Sequence, residues 1–448
     1  MENIVLDRTK IKGVIKPMHA INNAPIMGQN FKLFPYLKKA GIPYARLHDT
    51  GGAYGGNIYV DIGNVFRDFD NDPGDPDSYD FTFTDKLLEE ITKQGTKIYY
   101  RLGTTIENYA YMKAYRIFPP KDNLKWAKIC EGIIKHYNEG WANGYHFGIK
   151  YWEIWNEPDN EPEMDKNPMW RGTMEEYFKL YEVASNYLKE KFPDIKIGGY
   201  ASSGFYELSG DGNIAKNFPH RSKHFMKFFN GFFDYITDKD HKAPLDFFSW
   251  HNYADAREAV KIQKFLRSKL DEMGFTNTEL HLNEWNVDID NRSKAVDCAL
   301  IAEMMCLMQN TSLDILAFYD GQVNGRYCAI FDPVAIDVFK AYYAFEFFGR
   351  LYRAKHQIET DDHQSIVAAA DEEGVYALIA NPGDEDEVCK IVVKNTTASV
   401  MKTEIVSDTE TCAERYEKLS GGEAVITVPK HGTVFVTVSG SEIERTLF

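Results

Sequence analysis

Along most of the chain, short runs of Ile, Val, Phe, Tyr and Leu alternate with longer segments in which apolar residues recur at helical spacing. The short runs suit strands buried on both faces and the longer ones amphipathic helices, so the alternation predicts a parallel sheet wrapped by helices. Eight strands are expected, starting near Gly13, Tyr44, Lys97, Lys150, Ile195, Phe247, Glu279 and Ile315. Thr173 and Glu176 form a capping box ahead of the helix EYFKLYEVASNYLKEKF, and Gly41, Gly95 and Gly274 stand where helices should stop. Eight βα units closing on themselves make an α/β protein of the (β/α)8 TIM barrel type, expected here over residues 13–353. The active site of such a barrel lies in the loops that follow the strands.

After Arg353 the pattern changes to short alternating runs with Gly-containing turns, such as SIVAAADEEGVYALIANP and EAVITVPKHGTVFVTVSG. They predict an antiparallel β-sandwich over residues 354–448, with a buttressing role as the first expectation and carbohydrate binding as the alternative. Residues 1–12 are too few to fold alone and are expected to add a strand to it.

Composition narrows the partners. Hydrophobic residues make up 44% of the 448 positions, enough for a large core, and the 14% that are aromatic can fill that core or stack on the apolar face of a sugar. A net charge of −16 speaks against nucleic acid, which requires clustered Lys and Arg. A neutral substrate fits better, although one or two local Arg residues could receive an acidic one. The N-terminus MENIVLDRTKIKGVIKP carries no apolar signal-peptide region, and no later stretch is apolar enough to span a membrane. The six cysteines lack metal-type spacing and sit mostly in apolar segments. A cytoplasmic protein without a membrane partner is the resulting expectation, and a homo-oligomer stays open.

The candidate chemistry sits at two strand ends. In KYWEIWNEPD a strand ends in Asn156-Glu157-Pro158, and the proline halts it with Glu157 at its carboxyl end. In ELHLNEWN, Glu284 ends the seventh strand beside Trp285 and Asn286. Two carboxyl groups facing one mouth suit cleavage of a glycosidic bond, because the leaving oxygen needs a proton while the oxocarbenium-like centre needs an anion or nucleophile. That chemistry requires neither cofactor nor metal. The Asp-rich stretch DFDNDPGDPDSYD fails the EF-hand spacing and reads as a solvated loop, YASSGF does not fit the Gly-x-Ser-x-Gly elbow, and the zinc motif His-Glu-x-x-His is absent.

KYWEIWNEPD and LHLNEWN, with RLHD at strand two and SWHNYA at strand six, resemble glycoside hydrolase family 39 of clan A. The resemblance covers the whole barrel and extends to the β-rich tail. It implies a retaining enzyme acting on oligosaccharides or glycosides, with Glu157 as acid/base and Glu284 as nucleophile. It further implies that Asn156 bonds the sugar 2-hydroxyl and that His251 and Tyr253 lie beside the nucleophile and orient it. His48 and Asp49 could grip hydroxyls, with pairing of Asp49 to an Arg as the alternative. Trp155, Trp250, Trp285 and Tyr319 are candidates for walling the pocket or for packing the core. β-Xylosidase is the family's commonest theme; β-galactosidase, α-L-arabinofuranosidase, α-L-iduronidase and a silent sugar-binding barrel stay open. One departure bears on the sugar: strand eight ends in Tyr319-Asp320, where xylosidases usually carry Trp. The segment TTIENYAYMKAYRIFPP and the long stretch from Thr50 to Tyr79 could narrow the mouth to a pocket for one chain end.

Overall fold

The computed structural model describes residues 2–25, 31–50, 60–106, 117–208, 219–323, 327–360 and 365–439. Eight parallel strands close into a barrel: Ala20–Asn22, Tyr44–Leu47, Lys97–Leu102, Tyr151–Ile154, Lys196–Ser202, Phe247–Asn252, Glu279–Trp285 and Ile315–Phe318. They follow one another around the ring in chain order, and the eighth closes on the first through Ala317 and Ala20. These are barrel strands one to eight below.

The expected strand near Gly13 is a correction. Ile11–Val14 does form a strand, but it pairs antiparallel with His356–Ile358 at the edge of a tail sheet and is exposed along its length. The first barrel strand is Ala20–Asn22, buried throughout and too short to show a period. An exposed edge and a buried core strand can share the same β-branched residues, so the run alone chose the wrong one.

Strand alternation sorts the barrel interior into layers. Near the amino ends, Ala20, Tyr99, Tyr151, Phe247 and Ile315 form an apolar plug, with Tyr44 packed against it. Two residues further along the same strands, on the same face, stand Asn22, Arg46, Arg101, Glu153 and Ser249, all buried. The interior is therefore dry at the bottom and polar just beneath the mouth. Strand residues that point the other way, such as Leu47, Trp152, Phe248 and Leu282, join the main core under the helices.

The helices carry the predicted punctuation. Thr173 and Glu176 form the reciprocal capping box at the start of Met174–Lys191. Gly41 ends the first helix, Phe34–Ala40, in left-handed backbone at φ 65°. Among the described residues no helix is long and apolar enough to cross a membrane.

The tail forms two sheets. Seven strands order as Ala413–Lys418, Val400–Val406, Gly432–Ser439, Gly374–Asn381, Ile366–Ala370, His356–Ile358 and Ile11–Val14. Glu2–Asp7 pairs parallel with Glu387–Lys394, which pairs antiparallel with Glu423–Val428. Both sheets turn apolar residues into one core, with Ile4, Leu6 and Ile391 from one and Ile379, Ile405 and Val434 from the other. The outer face of the larger sheet packs on the barrel helices Ala295–Gln309 and Tyr342–Ala354, with Phe435 stacked on Phe347 at 5.1 Å. This contact explains why Ala295–Gln309 is apolar on every side: eleven of its fifteen residues are buried between barrel and sheet. All six cysteines are free thiols, five of them buried.

Helix Tyr342–Ala354 closes the ring of helices against Phe34–Ala40, and the approach depends on Gly349. A Cβ there would stand 1.7 Å from the backbone oxygen of Ala40. We predict that Gly349→Ala costs about 3 kcal/mol of stability, the upper end of overpacking penalties. Urea denaturation checks it; a loss within error of zero would mean that the helix pair separates freely.

Candidate active site

Strand four leaves regular geometry at its carboxyl end. Trp155 and Glu157 adopt positive φ, 73° and 45°, as the chain turns into Pro158. The turn is tied down from both sides: Trp155 N–H donates to Leu102 O, and Glu157 N–H donates to Ala201 O at 3.0 Å. Asp159 anchors its far side, accepting from Ser202 Oγ at 2.7 Å and from both Ser203 N–H and Ser203 Oγ at 3.0 Å. The sequence reading missed Asp159, whose signal is a charged residue directly after Pro158.

Strand seven delivers the second carboxyl by a bulge. Its register with strand six jumps from Trp250–Leu282 to His251–Glu284, so Asn283 is the extra residue and Glu284 faces the same interior as His251. Trp285 is thereby turned outward. It is fully buried and packs edge-on against Phe318 at 5.1 Å, a core position rather than a wall of the mouth. Trp155 and Trp250 also lie in the core, against Trp170 and Phe205.

Glu157 and Glu284 come together around one imidazole. Single ligand atoms of Glu157, His251 and Glu284 lie within 4.8 Å of one another. His251 Nδ1 is 2.7 Å from Glu157 Oε1, and its Nε2 approaches Glu284 Oε2 at 3.5 Å without hydrogen-bond geometry. His251 was expected to orient Glu284, whereas its hydrogen bond goes to Glu157. Tyr253 does meet the expectation, donating Oη–H to Glu284 Oε1 at 2.6 Å. Asn160 Nδ2–H donates to Glu157 Oε2 at 2.6 Å, and Arg221 holds Asn160 through its carbonyl and side-chain oxygens.

Beneath the pair lies Arg46, which the sequence reading passed over although it opens RLHD. Its guanidinium donates to Glu153 at 2.8 Å, Asn22 Oδ1 at 2.9 Å, Glu284 Oε2 at 3.3 Å and Asn156 Oδ1. Glu153 also accepts from Asn283. Asn156, held by its oxygen, keeps the amide nitrogen as its donor end.

His48, Asp49 and Tyr319 meet on the side of strands two and eight. Tyr319 Oη–H donates to Asp49 Oδ2 at 3.0 Å, Ile106 N–H donates to Asp49 Oδ1 at 3.1 Å, and His48 Nε2 is 3.3 Å from Asp49. Among the described residues no Arg pairs with Asp49, and Arg101 donates to Asp61 at 2.7 Å instead.

Burial dominates the electrostatics. It raises both Glu157 and Glu284; Asn160, Arg221 and Arg46 pull Glu157 back, while Arg46 and Tyr253 pull Glu284 back and the neighbouring Glu157 pushes it up. Desolvation lowers His251 to about 4, so it is neutral near neutral pH and its contact with Glu157 is a hydrogen bond rather than an ion pair. Glu157, His251 and Glu284 have donors close enough to hold a metal. Arg46 already supplies the cationic partner to Glu284 at 3.3 Å, so the pair needs no added cation to be held in place.

Residues 107–116 of TTIENYAYMKAYRIFPP and 51–59 of the Thr50–Tyr79 stretch lie outside the described residues. The Asp-rich stretch is an exposed loop of local turns, in which Asp68, Asp72 and Asp75 accept from the backbone two residues on.

Residues 29–374 match the sequence pattern of glycosyl hydrolases family 39. The chain belongs to that family. It is therefore a glycoside hydrolase of a retaining family, and its substrate is a glycoside. A β-xylosidase of Geobacillus stearothermophilus is 23% identical over 418 residues, spanning 83% of this chain and 75% of that protein. Among solved structures, a glucosidase from Croceicoccus marinus superposes with a TM-score of 0.78 at 17% identity, covering 99% of both chains. A monomeric β-xylosidase from Caulobacter crescentus CB15 gives 0.71 at 15%, covering 99% of this chain and 100% of that one. At these identities the two structures speak for the fold, and both span barrel and tail.

Burial raises Asp49 to about 6, Asp159 and Asp297 to about 7 and Asp320 to about 8. Each binds its proton more tightly folded than unfolded, so each loses stability as pH rises from its unfolded value toward the folded one. Burial lowers His19 to about 3 and His224 and His251 to about 4, which has the opposite sign and ends near the ordinary His value of about 6.5. The two sets oppose each other in mild acid, and above it only the aspartates remain. The thermal midpoint should therefore fall between about pH 6.5 and 8, and Asp159→Asn should flatten the fall. A midpoint that rises over this interval would contradict these assignments.

Proposed function

We propose that this enzyme hydrolyses glycosides by double displacement, with Glu284 as nucleophile and Glu157 as acid/base, acting from a chain end. The observation that carries the reading is the approach of Glu157 and Glu284 oxygens to within 4.8 Å. Direct attack needs carboxyl groups about 5 to 5.5 Å apart, whereas an inverting enzyme holds them about 6.5 to 9.5 Å apart to admit water.

The neighbours support different roles for the two acids. Glu284 accepts from Tyr253 and Arg46, partners that stabilise a carboxylate and aim it at an anomeric carbon. Glu157 is raised by burial and touches a neutral imidazole, conditions under which it keeps a proton for the leaving oxygen. Once the glycosyl ester has formed, the same carboxylate takes the proton of the attacking water. Asn156 offers its amide to the 2-hydroxyl, a bond that strengthens in the transition state. His48, Asp49 and Tyr319 face the rest of the glycone, and the Tyr319–Asp49 hydrogen bond ties strand eight to strand two, which supports a pocket closed at that end. The resemblance to β-xylosidases makes an aryl β-xyloside the first substrate to try.

Two mutants separate the roles. Glu157→Ala should still be glycosylated by an activated aryl glycoside and then stall, and azide should restore turnover with retained configuration. Azide with Glu284→Ala should give the inverted product from the vacated side. NMR of the two azides decides: swapped configurations would reverse the assignment, and full activity in both mutants would move the site elsewhere. In the wild type, the basic limb of the pH profile should belong to Glu157 and vanish in Glu157→Gln on substrates with good leaving groups. A limb that survives this change would assign the proton donor to another group.

A further inference from the structure

Strand eight ends in a carboxyl that neither the fold nor the two glutamates account for. Asp320 is 2% exposed. Its Oδ2 accepts from Asn23 Nδ2 at 3.2 Å, while its Oδ1 is buried and has no well-formed hydrogen bond from the described residues. The backbone N–H of Gln322 also hydrogen-bonds the carboxyl, yet burial and the neighbouring Asp49 and Glu284 outweigh both donors and push the group up to about 8. A buried acceptor without a donor costs stability, and an Asn would keep the bond to Asn23 without the charge. Packing alone gives no reason for an acid here.

Position supplies one. Strand eight lies beside strand seven, which carries Glu284, and beside strand one, which carries Asn22; Glu157, on strand four, lies across the barrel. A sugar with its anomeric carbon at Glu284 and its leaving group toward Glu157 extends its opposite edge over strands eight, one and two. Asp320 and Asp49 stand there, with His48, whose Nδ1 is likewise buried and unpartnered. Asn23 joins the two sides, donating to Asp320 and accepting from His48 N–H and Thr50 Oγ.

We propose that Asp320 is a specificity-determining residue whose open Oδ1 bonds a hydroxyl on the edge of the glycone farthest from the leaving group. The proposal rests on the double-displacement reading for the direction of the sugar. The partner is a ring hydroxyl, which can either give or take the hydrogen. A site built around such a bond rejects the analogue that lacks the hydroxyl, because the buried acid is left unpaired again.

The test is a cycle between protein and substrate. Wild type, Asp320→Ala and Asp320→Asn are assayed on the best aryl glycoside and on each of its monodeoxy analogues. Asp320→Ala should lower kcat/KM on the parent by about 100-fold, and one deoxy analogue should lose about as much with the wild type. On that analogue the mutation should cost less than about threefold more. Asp320→Asn, which preserves volume and the Asn23 contact and can still donate to the hydroxyl, should lose less than the alanine variant, and Asp320→Leu, of similar volume and without a polar atom, should show the alanine pattern and carries the test if the alanine variant does not fold. Calorimetric binding of the corresponding free sugars gives the same cycle without turnover. An equal loss on every analogue would show a structural effect and overturn the proposal. Azide products with swapped configurations would instead overturn the roles of the glutamates and leave a selective Asp320 coupling standing, so the two failures are distinguishable.

Discussion

The site depends on a single buried guanidinium. Arg46 is 1% exposed, and taking a charge out of water is costly unless its N–H groups are all engaged. Here the fork reaches from strand two to three other strands at once, with Asn22 on strand one, Glu153 and Asn156 on and just after strand four, and Glu284 on strand seven. Its planar, multidentate geometry is what allows this; a lysine would offer a point charge and fewer fixed directions. Removing it would strand Glu153 without its cation and release Glu284 and Asn156 together, so its loss should register in folding as well as in turnover.

Above that guanidinium, the environment is tuned by exclusion of water. Burial raises Glu157, Glu284, Asp49, Asp159 and Asp320 and lowers His48 and His251, so the histidines stay neutral and Asp159 and Asp320 keep protons up to near-neutral pH. This resolves the tension in placing so many acids in one mouth: several hold their protons, and the remaining charge concentrates where Arg46 and Tyr253 can meet it. The acids that keep protons become hydrogen-bond donors as well as acceptors, which suits a ligand made of hydroxyl groups.

The tail does structural work at the opposite side of the helical ring. Its larger sheet covers Ala295–Gln309 and Tyr342–Ala354, the helices that flank strand eight, and Arg350 crosses the junction to Glu404 with its guanidinium 4.1 Å over Phe435. The N-terminal residues belong to this assembly too, since Glu2–Asp7 and Ile11–Val14 each join a tail sheet before the chain enters the barrel.

The sequence by itself determined the barrel, seven of its strand positions and the β-rich tail, and it placed Glu157 and Glu284 at the ends of strands four and seven. Periodicity and Pro158 act locally, and a strand end in this fold always faces the mouth. Strand alternation also placed His251 and Tyr253 on one face of strand six, because it is a local rule. Only the tertiary structure decided which short run opens the barrel, since Ile11–Val14 and Ala20–Asn22 differ in burial rather than in residue type. It decided that Trp285 faces the core, through a one-residue bulge that depends on pairing with strand six. It decided, too, that His251 hydrogen-bonds Glu157, and that Arg46, Glu153 and Asn160 gather around the two glutamates. Those roles arise between residues far apart in the chain, where the energy of a buried charge is set by partners from other strands, and no local pattern encodes which partners will arrive.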